Sequence, residues 1–177
     1  MRRSTMLLCL ALTTLASCAP IRQDQTTQDE AATSWCSPRP GLVEVRVKDG
    51  KIDVCPEPGR IVNANAAIRW MLANDEVTSA YVFGDDGITL EDPTPVPPPG
   101  MPRLCNKRPN PQVAFNLKPQ GQCTTTAHGQ GVVCTKRAQL QSHDCFKYTV
   151  RLQLVPVSGA PSAPPLPPKD PWIMYED

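Results

Sequence analysis

"VEVRVKDGKIDVC", residues 43–55, alternates apolar and charged side chains on either side of an Asp-Gly pair. Val43, Val45 and Val47 share one face, Glu44, Arg46 and Lys48 the other, and Ile52 and Val54 resume the apolar face after Asp49-Gly50. A period of two marks a strand with one buried face. Asp-Gly accepts the positive φ angles of a two-residue type I′ turn, so the stretch predicts a β-hairpin. "FKYTVRLQL", residues 146–154, repeats the pattern more regularly. Phe146, Tyr148, Val150, Leu152 and Leu154 point inward and Lys147, Thr149, Arg151 and Gln153 outward, which reads as one central strand with a solvated face.

Shorter strand candidates are Ala67 to Leu72 around Trp70, Ala80 to Phe83, Ile88 to Leu90, Val113 to Leu117 and Val132 to Lys136. "IRWMLANDEV" fits a helical turn or a strand, and no stretch makes a convincing amphipathic helix. Many short strands with turn residues between them predict an all-β fold, a disulfide-stapled β-sandwich with proline-rich loops. Proline supplies 21 of the 177 residues, about 12% against a usual ~5%. It gathers in "PTPVPPPGMP", residues 93–102, and in residues 156–171, neither of which can be helix or central strand.

The N-terminus sets the compartment. Arg2 and Arg3 precede an apolar run, Leu7 to Ala16, of about ten residues, too short for a spanning helix, which needs roughly 20, and suited to a secretory signal. Leu15-Ala16-Ser17-Cys18 resembles the lipobox of bacterial lipoproteins. That resemblance implies cleavage before Cys18, acylation of Cys18 with palmitate-type chains and attachment to a membrane of the cell envelope. Ala19 follows the cysteine where an aspartate would retain such a lipoprotein, so the resemblance further implies the outer membrane, facing the periplasm. Residues 1–17 are then signal peptide, residues 18–34 a lipidated polar tether and residues 35–177 a single domain. Removing 17 of 177 residues leaves a mature chain of 160.

Cysteine parity agrees with this division. Cys9 leaves with the signal and Cys18 carries lipid, so Cys36, Cys55, Cys105, Cys123, Cys134 and Cys145 remain. Six cysteines in an oxidising compartment allow up to three disulfides in any of 15 pairings. Cys123 and Cys134 flank the glycine-bearing "TTTAHGQGVV", which favours their pairing; Cys36 with Cys55 and Cys105 with Cys145 are the simplest completion. No CxxC pair is present to suggest a zinc ribbon or a thioredoxin-type motif.

Ile68-Arg69-Trp70, "YVFGDDGITL" from Tyr81, "YTVRLQL" from Tyr148 and "KDPWI" from Lys169 resemble uncharacterised secreted bacterial proteins with a cupredoxin-like sandwich, over roughly Val43 to Ile173. The resemblance implies a cupredoxin-like fold, with an immunoglobulin-like sandwich as the alternative, and carries no function. A blue-copper site takes an early histidine and then closely spaced cysteine, histidine and methionine. Here His128 and His143 are both late, and no histidine or methionine follows Cys145 before Met174, so no metal or other cofactor is expected.

Recognised catalytic spacings are missing: there is no GxSxG, no HExxH and no phosphate-binding glycine loop. Asp85, Asp86, Glu91 and Asp92 read as a turn and its surroundings, and Ser142-His143-Asp144 as a polar turn, because consecutive residues do not reach triad geometry. The mature chain carries 16 basic and 17 acidic residues, which excludes the basic face of a nucleic-acid binder. Trp70 reads as core, whereas Trp35 and Trp172 flank the fold and are the candidate ligand-binding aromatics. The chain therefore reads as a non-catalytic binding or structural module, held to a membrane by its lipid and contacting an envelope protein. The alternatives are an inhibitor or immunity protein against a cell-wall-degrading enzyme and a metal-handling protein.

Overall fold

The Asp-Gly hairpin forms as the alternation requires. In the computed structural model of the chain, β1 (Leu42–Lys48) and β2 (Lys51–Cys55) are antiparallel, with Val45 opposite Val54 and Val47 opposite Ile52. Asp49 and Gly50 take φ of 50° and 70°, the left-handed pair of a type I′ turn. The structure describes residues 35–93, 100–137, 140–155 and 164–177. The expected signal peptide, Cys18 and the tether lie outside them, as do the centres of both proline-rich segments.

Ten further strands follow among the described residues: β3 (Gly59–Val62), β4 (Ala67–Leu72), β5 (Tyr81–Val82), β6 (Ile88–Leu90), β7 (Phe115–Asn116), β8 (Thr124–Thr125), β9 (Gly131–Lys136), β10 (Cys145–Val150), β11 (Gln153–Leu154) and β12 (Trp172–Glu176). Among the described residues helix is confined to one turn, Pro111–Ala114, whose N-cap Asn110 accepts from the Gln112 N–H, and to short 3-10 turns. Among the described residues no helix is long and apolar enough to cross a membrane. The six-stranded sheet has the order β2-β1-β4-β9-β7, with β8 also on β9; the four-stranded sheet has the order β3-β12-β10-β6, and β11 pairs with β5. Both larger sheets are mixed, because β1 and β4 run parallel and so do β3 and β12.

One hydrophobic core lies between these two sheets. Val43, Trp70 and Val132 occupy one row across β1, β4 and β9, and all three are fully buried. Facing them from the second sheet are Ile61, Ile88, Phe146, Tyr148, Val150 and Ile173. Two edge-to-face ring pairs cross the gap, Trp70 with Tyr148 at 5.2 Å and Phe115 with Phe146 at 5.0 Å. Each such pair contributes about 0.5–1.5 kcal/mol beyond its burial. Backbone bonds stitch both margins: the Gly41 N–H donates to the Arg60 carbonyl (2.6 Å) and the Cys123 N–H to that of Ile88 (3.2 Å). Three disulfides add to this, Cys36–Cys55, Cys105–Cys145 and Cys123–Cys134.

Three expectations need correction. Val113 and Ala114, expected within a strand from Val113 to Leu117, close the helical turn, and only Phe115 and Asn116 pair with β9. The single strand over residues 146–154 is two strands in different sheets: β10 ends at Val150, and Gln153 and Leu154 pair with β5. Between them the Arg151 N–H donates to the Gly87 carbonyl at 2.8 Å, which turns the chain and lets Leu152 reach the core at 4% exposure. Thr149, expected on a solvated face, is buried, because that face of β10 is covered.

Candidate functional site

Register decides which side chains of β10 and β12 point away from the core. Cys145 lies opposite Met174 and Lys147 opposite Trp172, and these alternate with the core residues Phe146, Tyr148 and Ile173. Cys145, Trp172 and Met174 form a second, small apolar cluster on the outer face of the four-stranded sheet. Met101 and Cys105 pack onto it from the segment 100–110, which crosses this face. The segment has almost no regular structure, yet it is fixed at several points. Cys105 is bonded to Cys145, with Cα atoms 5.6 Å apart. The Asn106 N–H donates to the His143 carbonyl and the Cys145 N–H to that of Lys107, both at 3.0 Å. The Arg108 guanidinium lies 5.3 Å above the Trp172 ring.

Around this cover runs a network of matched charges. Lys147 Nζ lies 3.3 Å from Glu91 and 3.8 Å from Asp170, and Arg108 lies 4.0 Å from Glu91. The Thr149 hydroxyl is within donating distance of Asp170 (2.9 Å) and Glu91 (3.3 Å), which accounts for its burial. Lys107 stands 3.7 Å from the buried carboxylate of Asp144 and donates to Gln141. Partly exposed pairs of this kind contribute little energy one at a time. Their value is positional.

Glu91 and Asp92 lead into the first proline-rich segment and Lys169, Asp170 and Pro171 leave the second. The Glu91 N–H donates to the Lys147 carbonyl (2.9 Å), the Tyr148 N–H to that of Pro171 (3.1 Å), and Lys169 and Val150 exchange both backbone bonds. Both segments are therefore tied to β10 at their bases, the first leaving along its β6 edge toward Cys145 and the second arriving along its β12 edge from beyond Val150.

A second feature lies on the outer face of the six-stranded sheet. Trp35, Arg46, Val47, Lys48, Ala73, Asn74 and Asp75 line an open cleft of about 450 Å³. Arg46 is held between the Trp35 ring, 4.0 Å from its centroid, and Asp53, which accepts two bonds at 2.9 and 3.1 Å. Asp75 accepts from the backbone N–H and the hydroxyl of Thr78, both at 2.7 Å, and Thr78 accepts from the Val47 N–H. The Thr78 N–H is the main cause that holds the Asp75 carboxyl below the usual carboxylate range; the Arg46 charge is a smaller one.

The expected aromatic site is not assembled. Trp172 is 5% exposed within β12 under Arg108, and Trp35 sits on the other sheet with a guanidinium against its ring. Trp172 belongs to a strand that the sequence conceals, since "WIMYE" is covered on both faces and does not alternate. His128 and His143 both take left-handed φ, 71° and 65°, in turns. His143 Nδ1 is 3.3 Å from the Ser142 hydroxyl, while Asp144 accepts from the Gln141 N–H, so the three residues form a turn and not a relay. Asp85 and Asp86 lie in the turn that the Gly87 N–H closes on the Gly84 carbonyl. Among the described residues no group of three His, Cys, Asp or Glu is placed to hold a metal. The grouping of Arg108, Lys147, Thr149 and Asp170 has no signal in the sequence except the charge flanking each proline run. Comparison of the chain with protein-family models, curated proteins and solved structures finds no match.

Proposed function

We propose that this chain is a lipoprotein of the cell envelope, acylated at Cys18 and held at the outer membrane, whose domain works by contact and not by catalysis. One observation carries the contact reading: the bases of both proline-rich segments are tied to β10, on its two opposite edges, by backbone bonds and by the Glu91, Lys147, Thr149 and Asp170 network. Proline-stiffened loops on a disulfide-braced scaffold lose little entropy when they dock, and binding surfaces are commonly built this way. The basic start, the short apolar run and the lipobox-like Leu15 to Cys18 support the anchor.

The sandwich itself is proposed to be cupredoxin-like. The parallel pairs β1/β4 and β3/β12 support this over a constant-type immunoglobulin arrangement, whose two sheets are antiparallel.

Metabolic labelling with a fatty-acid analogue tests the anchor. The wild-type chain should take up the label and Cys18→Ser should not; equal labelling of both would end the lipoprotein reading.

A further inference from the structure

We infer that the domain pairs with a second copy of itself through the outer face of the six-stranded sheet, where β1 and β4 set an acid and a base on one diagonal of a four-residue patch and two apolar side chains on the other. The pairing goes beyond the contact reading above and depends on neither the lipid nor the proline-rich segments.

Register fixes the patch. β1 and β4 run parallel, with Leu42 opposite Arg69 and Glu44 opposite Met71. All four alternate with the core residues Val43, Val45, Ile68 and Trp70, so they share the outer face. Glu44 and Arg69 hold one diagonal, Leu42 and Met71 the other. Among the described residues neither Glu44 nor Arg69 enters an ion pair, whereas Arg46, the next charged residue on this face of β1, is held by Asp53. Arg69 is exposed and Glu44 half-buried. Met71 is 39% exposed and lies over Gly131 of β9, where an added Cβ would come within 2.6 Å of its Sδ. The missing side chain at Gly131 lets the thioether spread across the sheet. Val133, half-buried beside Arg69 on β9, extends the apolar ground.

Charge complementarity selects a second copy as the occupant. A two-fold axis lying in the face, close to the Leu42–Met71 diagonal, brings Met71 against Met71 and Leu42 against Leu42 of the other copy and exchanges the ends of the charged diagonal. Glu44 of each copy then meets Arg69 of the other. One acid and one base thus make two ion pairs, the self-complementary contact of a cyclic dimer. Strands lie about 4.8 Å apart and alternate residues on a strand about 6.6 Å, so the strands of the two copies cross near a right angle, as in orthogonal sheet packing. Methionine and arginine are both enriched at interface centres, and opposed charges of this kind fix register and reject other partners.

Site-specific photocrosslinking of the full chain, co-expressed in cells as two differently tagged copies, tests the inference. A photoreactive amino acid replaces Met71 or, as a control, Val113, which is 70% exposed in the helical turn. Accessibility alone would favour Val113. Met71 should instead give an adduct of twice the chain's mass that carries both tags, at least about tenfold stronger than at Val113. Glu44→Arg in both copies, or Arg69→Glu in both, should lower it about tenfold, since each sets like charges face to face. Glu44→Arg in one copy with Arg69→Glu in the other should restore it, because one copy then carries only arginine on that diagonal and the other only glutamate. An adduct at Met71 no stronger than at Val113, indifference to either charge reversal, no restoration in the mixed pair, or adducts made only to another protein or to lipid would each overturn the inference. Every variant is first shown to have no alkylatable thiols without reductant, so that misfolding is not read as lost contact.

Discussion

Trp70 on β4 and Tyr148 on β10 meet edge to face at 61° across the core, and among the described residues neither the indole N–H nor the phenol makes a well-formed hydrogen bond. Two wide rings fill the gap between the sheets at the cost of two dry polar atoms. Burial pushes the Tyr148 phenol far above its ordinary value; the neighbouring Trp70 indole N–H opposes that shift, and the charge of Glu57 adds a little to it.

Tyr148→Phe should accordingly leave stability at neutral pH within about 1 kcal/mol of wild type, because the buried hydroxyl it removes has the Trp70 indole as a polar neighbour and makes no well-formed hydrogen bond. The raised phenol adds stability that is complete below the unfolded value of about 10 and declines as pH rises above it. Denaturant titrations at neutral pH and above pH 10 should show wild type losing stability in the alkaline range and the phenylalanine variant losing less. Parallel alkaline curves would contradict the assignment.

Asp75 sets the acid limb. Its carboxyl is depressed in the fold, so its contribution is present above the unfolded value of about 3.9 and is lost as pH falls through the lower folded value. Asp75→Ala removes an acceptor of the kind that caps a turn and should cost about 1 kcal/mol at pH 7. The difference between variant and wild type should shrink toward pH 2. A constant difference across that range would assign the effect to packing.

The three bridges close loops of different length, with separations of 40 residues for Cys105–Cys145, 19 for Cys36–Cys55 and 11 for Cys123–Cys134. Chain entropy predicts that replacing a pair by alanine costs about 4 kcal/mol for the longest and about 3 kcal/mol for the shortest. Urea midpoints of the three double variants should fall in that order. Intact mass after alkylation without reductant should show no modified thiols, and four or more would refute the covalent frame.

Much of this fold is legible in local pattern. The hairpin around Asp49-Gly50, β4, β6, β9 and the inward set of β10 follow from alternation and turn chemistry, which depend on neighbours in the chain. β3 and β12 do not. "GRIV" is short and follows two prolines, and "WIMYE" is apolar on both sides because segment 100–110 covers what would otherwise be its wet face. Their parallel pairing brings residues 59–62 against residues 173–176, a contact no local signal announces. The same distance hides the charge network: Glu91, Lys147 and Asp170 lie far apart in the chain and meet only because β6 and β12 both flank β10.

The most direct measurement compares two variants of the lipidated chain for recovery of envelope complexes after crosslinking. In one, Pro95 to Pro99 become a Gly/Ser segment; in the other, His128 and His143 become alanine. Contact through proline-stiffened loops predicts that the first variant keeps its disulfides but recovers those complexes poorly, while the second matches wild type. Loss with the histidine variant and full recovery with the Gly/Ser variant would contradict the account and put a chemical or metal-dependent activity in its place.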